Sequence, residues 1–164
     1  MFFGCDKPKT RTIESIKEKN NDFYDKCRKL VLGENHEGQE YFFSRKVEGV
    51  DEIIITYLGN IITAQKDTLK VVNSVNFSGQ LKDARRGSGN VFIYDNKNER
   101  IGFYYVGAAG GIPSKVENGS LIFSYSNESC NQSTAVSLCD SIPQQIFIKC
   151  TEKGGDLYSF TNGD

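Results

Sequence analysis

Tryptophan is absent from this 164-residue chain, methionine and histidine occur once each, and proline occurs three times. With one histidine and no Cys-x-x-Cys pair, a closed zinc site of the usual ligand set is not expected. No apolar run, such as Ile53 to Ile55 or Phe103 to Val106, approaches the roughly 20 residues that span a bilayer. Charge of one sign is also missing. Twenty Lys plus Arg face 21 Asp plus Glu, a net charge of -1, so no global field draws the chain to nucleic acid or anionic lipid. No nucleic-acid partner is therefore expected. What the chain does have is 38% hydrophobic residues, with 11 Phe and 8 Tyr. That mass suffices for a core and excludes disorder as the main state, and the length fits one domain.

The chain opens Met1-Phe2-Phe3-Gly4-Cys5-Asp6-Lys7-Pro8, two large apolar residues and a small one before a cysteine, then an abrupt change to polar composition. Phe3-Gly4-Cys5 resembles the processing box of bacterial lipoproteins, in which a small residue precedes the cysteine that receives lipid. The resemblance implies that Cys5 is the lipidation site, that the membrane is met only through this anchor, and that residues 1-11 are a processing remnant and tether ahead of one domain over 12-164. Asp6, directly after the modified position, implies residence at the inner membrane facing the periplasm, with the outer membrane and secretion as alternatives. Four Asn-x-Ser triplets, at Asn76, Asn118, Asn127 and Asn131, offer a secretory reading of their own and are taken as polar turns.

Removing one lipidated cysteine from the five leaves Cys27, Cys130, Cys139 and Cys150, an even set that permits two disulfides in an oxidising compartment. Four cysteines allow three pairings, which sequence alone does not separate. The polar segment between Cys130 and Cys139 makes a local bridge there the first expectation, leaving Cys27 to meet Cys150.

Ile13, Ile16, Phe23, Cys27 and Leu30 recur at helical spacing while charges fill the remaining positions, so an amphipathic helix is expected over about Thr12 to Leu32, capped by Gly33. From residue 41 short β-branched and aromatic runs alternate with Gly, Asn and Asp. Strands are expected at 41–47, 52–58, 61–65, 69–77, 91–94, 101–106, 121–125, 144–149 and 157–161. Gly59-Asn60 and Asp95 to Glu99 read as hairpin turns. The expected fold is α+β: one N-terminal amphipathic helix packed on a largely antiparallel, meandering sheet of about seven to nine short strands.

Catalytic constellations are sparse. His36 lies in the polar loop Gly33-Glu34-Asn35-His36-Glu37-Gly38, where Glu34 or Glu37 could partner it in a small hydrolase, and no nucleophile elbow is present. Glu48, Asp51 and Glu52 cluster before Ile53 and read as a solvated turn. No cofactor is expected. Two loops look suited to contact instead. Gly107 to Lys115, rich in small residues including Gly110 and Gly111, permits close backbone approach. Lys82, Arg85 and Arg86 form a basic loop whose forked donors suit an acidic partner. Residues 4–33 carry +3 and residues 111–164 carry -3, the latter from Glu117, Glu128, Asp140, Glu152, Asp156 and Asp164 against three lysines. These features lead to the expectation of a non-catalytic, periplasm-facing lipoprotein that binds and neutralises another protein, of the immunity or inhibitor type, such as a toxin or effector antagonist. An accessory subunit of a cell-envelope or secretion machine is the runner-up.

Overall fold

The computed structural model describes residues 9–10, 20–45 and 47–163. In chain order the elements are β1 (Lys9–Thr10), α1 (Asn20–Glu34), β2 (Glu40–Ser44), β3 (Val50–Ile62), β4 (Thr68–Gly79), β5 (Arg86–Tyr94), β6 (Arg100–Ala108), β7 (Lys115–Glu117), β8 (Ser120–Ser124), β9 (Ser133–Ser137), β10 (Gln145–Lys149) and β11 (Gly155–Asn162). Eight strands form one sheet in the order β1-β2-β3-β4-β5-β6-β11-β10, and β7-β8-β9 form a second, smaller sheet. Every pairing is antiparallel except β1 with β2. The fold is α+β, as the residue pattern predicts. Lys9 and Thr10, inside the stretch read as a tether, pair with Tyr41 and Phe42. Cys5 and the first turns of the expected helix, residues 12–19, lie outside the described residues.

The large sheet is covered on both faces. On one, Phe23, Cys27, Val31 and Leu32 of α1 meet Ile53, Ile55 and Tyr57 of β3 together with Val72, Phe92 and Tyr94. On the other, Val71, Val91, Ile93, Tyr104 and Val106 meet Leu121 and Phe123 of the small sheet, Leu138, and Ile146 and Ile148 of β10. Adjacent residues on one strand therefore enter different cores, Val71 and Val72 or Ile93 and Tyr94, as the two-residue period of a strand requires. Strands buried on both faces read as continuous apolar runs, which is why β3 to β6 were recognisable.

The expected turn at Gly59-Asn60 is not a turn. β3 runs unbroken through it, and the register with β4 shifts between Tyr57 and Gly59. Leu58 is the extra residue of this bulge, so strand parity flips. Ile53, Ile55 and Tyr57 face the helix, whereas Leu58 and Ile61 face the small sheet. Gly59 holds a φ of 126°, open to glycine and strained for other residues. The helix differs in its end as well as its face. It closes at Asn35, with a φ of 53°, rather than at Gly33. Leu30, expected on the buried stripe, is exposed, while Arg28 is buried. Its flat guanidinium lies 4.0 Å over the Phe92 ring, its Nε donates to the Tyr94 hydroxyl at 3.1 Å, and Asp25 accepts at 3.5 Å.

The disulfide expectation is corrected too. Cys130 bonds to Cys150, and Cys27 and Cys139 are free thiols. Cys130 ends an Asx turn in which Asn127 Oδ1 accepts from the amides of Ser129 and Cys130. The chain then reaches β10, where Asn131 donates to the Cys150 carbonyl at 2.9 Å. Spatial neighbours across the strand ends thus override sequence proximity. Cys27 lies in the helix core and cannot reach either partner. Closing a loop of 20 residues restricts the unfolded chain by about 3 kcal/mol in the chain-entropy treatment.

Two outcomes follow from this architecture. Gly59→Val is expected to lower stability by about 1–3 kcal/mol, read from the urea midpoint, because it forces a β-branched residue into the positive-φ bulge; an unchanged midpoint would contradict the bulge. Burial pushes the Cys27 thiol up to about 12, so at pH 8 a thiol reagent should modify half-buried Cys139 and spare Cys27 in the folded protein. A non-reducing peptide map joining Cys130 to Cys139 would overturn the assignment.

Candidate functional site

Three connections meet at one end of the large sheet: β2 to β3 (residues 45–49), β4 to β5 (80–85) and β6 to β7 (109–114). The two loops singled out from sequence are therefore neighbours. Their proximity has a local cause in β5, where glycines occupy 87 and 89. A Cβ at Gly87 would come within 2.8 Å of both the Ala109 Cβ and the Phe77 ring, and one at Gly89 within 2.9 Å of Ile112. Without side chains there, residues 108–112 cross directly over β5. Asn73, buried on β4 beneath them, donates to the Pro113 carbonyl at 2.7 Å and fixes the far side of the crossing.

The first two connections frame an open groove of about 480 Å³, lined by Arg45, Val47, Gly49, Glu52, Leu81 and Lys82 among others. Val47 and Leu81 stand on its rim with 45% and 69% of their surface exposed. A second opening on the far side of Glu52 is lined by Phe42, Glu52, Lys82, Asp83 and Arg85. The apolar tips at 47 and 81 carry no sequence periodicity, which is why they were missed; exposure alone reveals them.

Charge at this end is already committed. Arg45 pairs with Asp51, which also accepts from the Tyr24 hydroxyl, and Arg45 lies 5.4 Å from the Phe23 ring centre. Arg85 pairs with Glu52 and lies 4.5 Å over the Phe77 ring. Strand alternation separates the two acids, sending Asp51 into the helix side and Glu52 to the opposite face. Of the Glu48-Asp51-Glu52 cluster, Glu48 is exposed in the bend before β3, whereas Asp51 is 7% exposed and both it and Glu52 are ion-paired, so the three do not form one solvated turn. Burial, with Asp51 second, pushes the Tyr24 hydroxyl up to about 12, so it stays a donor at neutral pH.

Each expected contact residue has a definite place. Lys82 lies on the groove. Arg85 is engaged by Glu52. Arg86 opens β5 and is exposed on the helix side, with no ion pair among the described residues. Gly107 has a φ of 74°, Gly110 has open space, and a side chain at Gly111 would meet the Val106 carbonyl at 2.4 Å. Lys115 lies in the small sheet and pairs with Glu117 at 2.8 Å. The acidic residues of the C-terminal half are dispersed: Glu128 and Glu152 line a shallow cleft beside Lys153, and Asp156 borders Tyr125 and Tyr158. Asp164 lies outside the described residues.

His36 sits at the opposite end of the sheet. Its Nδ1 shares a 3.2 Å hydrogen bond with the Tyr41 hydroxyl and lies 3.9 Å from Glu34, and its side chain is 58% exposed. Glu37 instead covers Gly59, whose Cβ position lies 3.0 Å from the Glu37 carboxyl carbon. The described residues contain no group of three or more metal-ligating side chains and no helix long and apolar enough to cross a membrane. Comparisons with protein-family models, with curated proteins and with solved structures find no match to this chain.

Removing one partner from each ion pair should separate their roles. Asp51→Asn removes the buried carboxylate that both Arg45 and the Tyr24 hydroxyl engage and should cost about 3–5 kcal/mol in denaturant unfolding. Glu52→Gln, whose partner Arg85 is 40% exposed, should cost under about 1 kcal/mol. Equal losses would contradict the assignment of Asp51 as the structural acid and Glu52 as a surface one.

Proposed function

We propose that this chain is a non-catalytic binding protein that engages another protein through the end of the sheet where the β2–β3, β4–β5 and β6–β7 connections meet. The observation that carries this reading is the convergence of the two contact-suited loops around a groove rimmed by exposed Val47 and Leu81. Exposed apolar side chains beside locally neutralised charge are the composition of a protein interface core with a polar rim. The engagement of Arg85 by Glu52 shifts the expected specificity away from a purely acidic partner and toward apolar contact at Leu81, with Lys82 supplying a charge on the rim.

The Cys130–Cys150 disulfide supports placement in an oxidising compartment. Together with the box at Phe3-Gly4-Cys5, this favours a lipid-anchored, periplasm-facing protein of the inhibitor or immunity type, whose target is a protein reaching the same compartment. An adaptor role within an envelope machine would use the same surface.

The test places a photo-crosslinking residue at Leu81 or, as an exposed apolar control at the other end of the sheet, at Ile62. In cells expressing the full chain, Leu81 is expected to give one discrete protein adduct and Ile62 none. Gly110→Trp, which has open space in the fold, should abolish the adduct while leaving the melting temperature unchanged. Adducts of equal yield at both positions, or an adduct indifferent to Gly110→Trp, would contradict the assignment.

A further inference from the structure

The two sheets meet without sharing a ladder. β9 lies beside β10, yet no strand pairing joins them. Phe160 donates to the Gln144 carbonyl and Cys150 to the Gly154 carbonyl, so alternation turns the backbone groups of Phe147 and Lys149 away from β11 and toward the seam. There the Lys149 amide meets the Thr134 hydroxyl at 3.0 Å, and Phe147 has no backbone partner among the described residues. The firmest links lie at one end of the seam: the Cys130–Cys150 bridge, and the Asn131 amide donating to the Cys150 carbonyl at 2.9 Å.

Each half-cystine sits on a turn that holds its shape by its own hydrogen bonds. Asn127 Oδ1 accepts from the amides of Ser129 and Cys130 at 3.0 and 2.7 Å, and the Asn127 amide donates to the Cys130 carbonyl at 2.9 Å. Between β10 and β11, the amides of Cys150 and Thr151 donate to the Gly154 carbonyl at 3.0 Å, and the Gly154 amide donates to the Thr151 hydroxyl at 3.1 Å. The small sheet also has attachments remote from the bridge. The Cys139 carbonyl accepts from Ala64 at 2.8 Å, Asn73 holds Pro113, and Leu121 and Phe123 are fully buried. Both half-cystines are half-buried beside an open cleft of about 290 Å³, lined by Glu128, Ser129, Asn131, Thr151, Glu152 and Lys153, which gives a thiol a path to the bond.

We infer that the Cys130–Cys150 bridge is a reversible redox latch, whose reduction by a dithiol opens the β9–β10 seam while the rest of the fold persists. One thiolate of the dithiol attacks a bridge sulfur. The S–S bond breaks, and the displaced half-cystine leaves as a thiolate and takes up a proton. The second thiolate of the reagent then displaces the other half-cystine, so two electrons pass to the bridge and the reductant departs as a disulfide. Lys153 places a positive charge in the cleft beside the developing thiolate. Without the bridge, the seam rests on two exposed hydrogen bonds, which water replaces at little cost. The two turns keep their shape, so the thiols remain close and reclosing carries a small ordering cost. Opening bares the outer edge of β10, the last strand of the large sheet, where Phe147 already has 49% of its surface exposed.

The latch is remote from Leu81, so crosslinking at the sheet end and the behaviour of the bridge report on separate proposals. The full chain is treated with dithiothreitol at pH 8 without denaturant, alkylated and mapped by mass spectrometry, and its amide exchange is followed in parallel. Cys130 and Cys150 should be alkylated faster than the amides of Val71 and Val72 exchange, because global unfolding is not required. Exchange at Asn131 and Lys149 should accelerate about tenfold or more, with Val71, Val72 and Ile93 unchanged within about twofold. Replacing the reagent with glutathione disulfide should restore bridge and protection. Asn127→Ala should slow that reclosure about tenfold, by lowering the effective concentration of the paired thiols, and leave the rate of reduction unchanged. Cys130→Ser combined with Cys150→Ser should reproduce the open pattern. Reduction only at the rate of global unfolding, unchanged protection at Asn131 and Lys149, or loss of protection reaching Val72 and Ile93 would each overturn the latch; the last would make the bridge a support of the whole fold.

Discussion

The rest of this structure depends on a sheet whose central strands must be covered on both faces. Val71 and Val72, or Ile93 and Tyr94, cannot both be buried unless an apolar layer lies on each side. The helix supplies one layer with Phe23, Cys27 and Val31. The small sheet β7-β8-β9 and the β10–β11 hairpin supply the other with Leu121, Phe123, Ile146 and Ile148. The bulge at Leu58-Gly59 is a consequence, because β3 begins beneath the helix and ends beneath the small sheet. An uninterrupted alternation would aim Ile61 at the wrong layer.

The same constraint determines where the cations go. Three arginines lie at the margins of these layers, and each combines a ring with a carboxylate: Arg28 with Phe92 and Asp25, Arg45 with Phe23 and Asp51, Arg85 with Phe77 and Glu52. Burying a guanidinium costs less when its flat faces meet aromatic carbon and its edges meet an acid. Positive charge on this half of the molecule is thereby consumed by the fold. What remains for contact is the apolar rim at Val47 and Leu81, Lys82 beside the groove, and Arg86 on the helix-side face.

Much of this was legible in the residues. The apolar runs of β3 to β6, the helix through Phe23 and Cys27, and the Asp95–Glu99 turn all carry strong local signals. Asp95 Oδ1 accepts from the amides of Lys97 and Glu99, as a polar turn residue does. The misreading at Gly59-Asn60 arose because glycine between apolar runs marks a bulge as readily as a turn, and only the pairing with β4 separates them. Asn118-Gly119, which turns β7 into β8 with φ values of 49° and 72°, carried the better hairpin signal and was read only as a polar turn. β9, Ser133–Ser137, has too little apolar content to show itself. The disulfide was unreadable because pairing follows spatial approach of Cys130 to the end of β10. Of the candidate site, the two loops were found but not their adjacency, which rests on the side chains missing at Gly87 and Gly89. Arg85 and Arg86 looked equivalent in sequence, and strand parity makes them opposite.

The doubly covered sheet is tested most directly by native-state hydrogen exchange resolved to single amides. Amides of Val71, Val72, Ile93 and Tyr104 should exchange only through global unfolding, with one common opening free energy. Those of residues 47–49, 80–84 and 109–111 should exchange through local opening at much smaller cost. Loss of protection in β5 and β6 well below the global free energy, with β3 still protected, would show that the small sheet does not cover that face and would contradict the account.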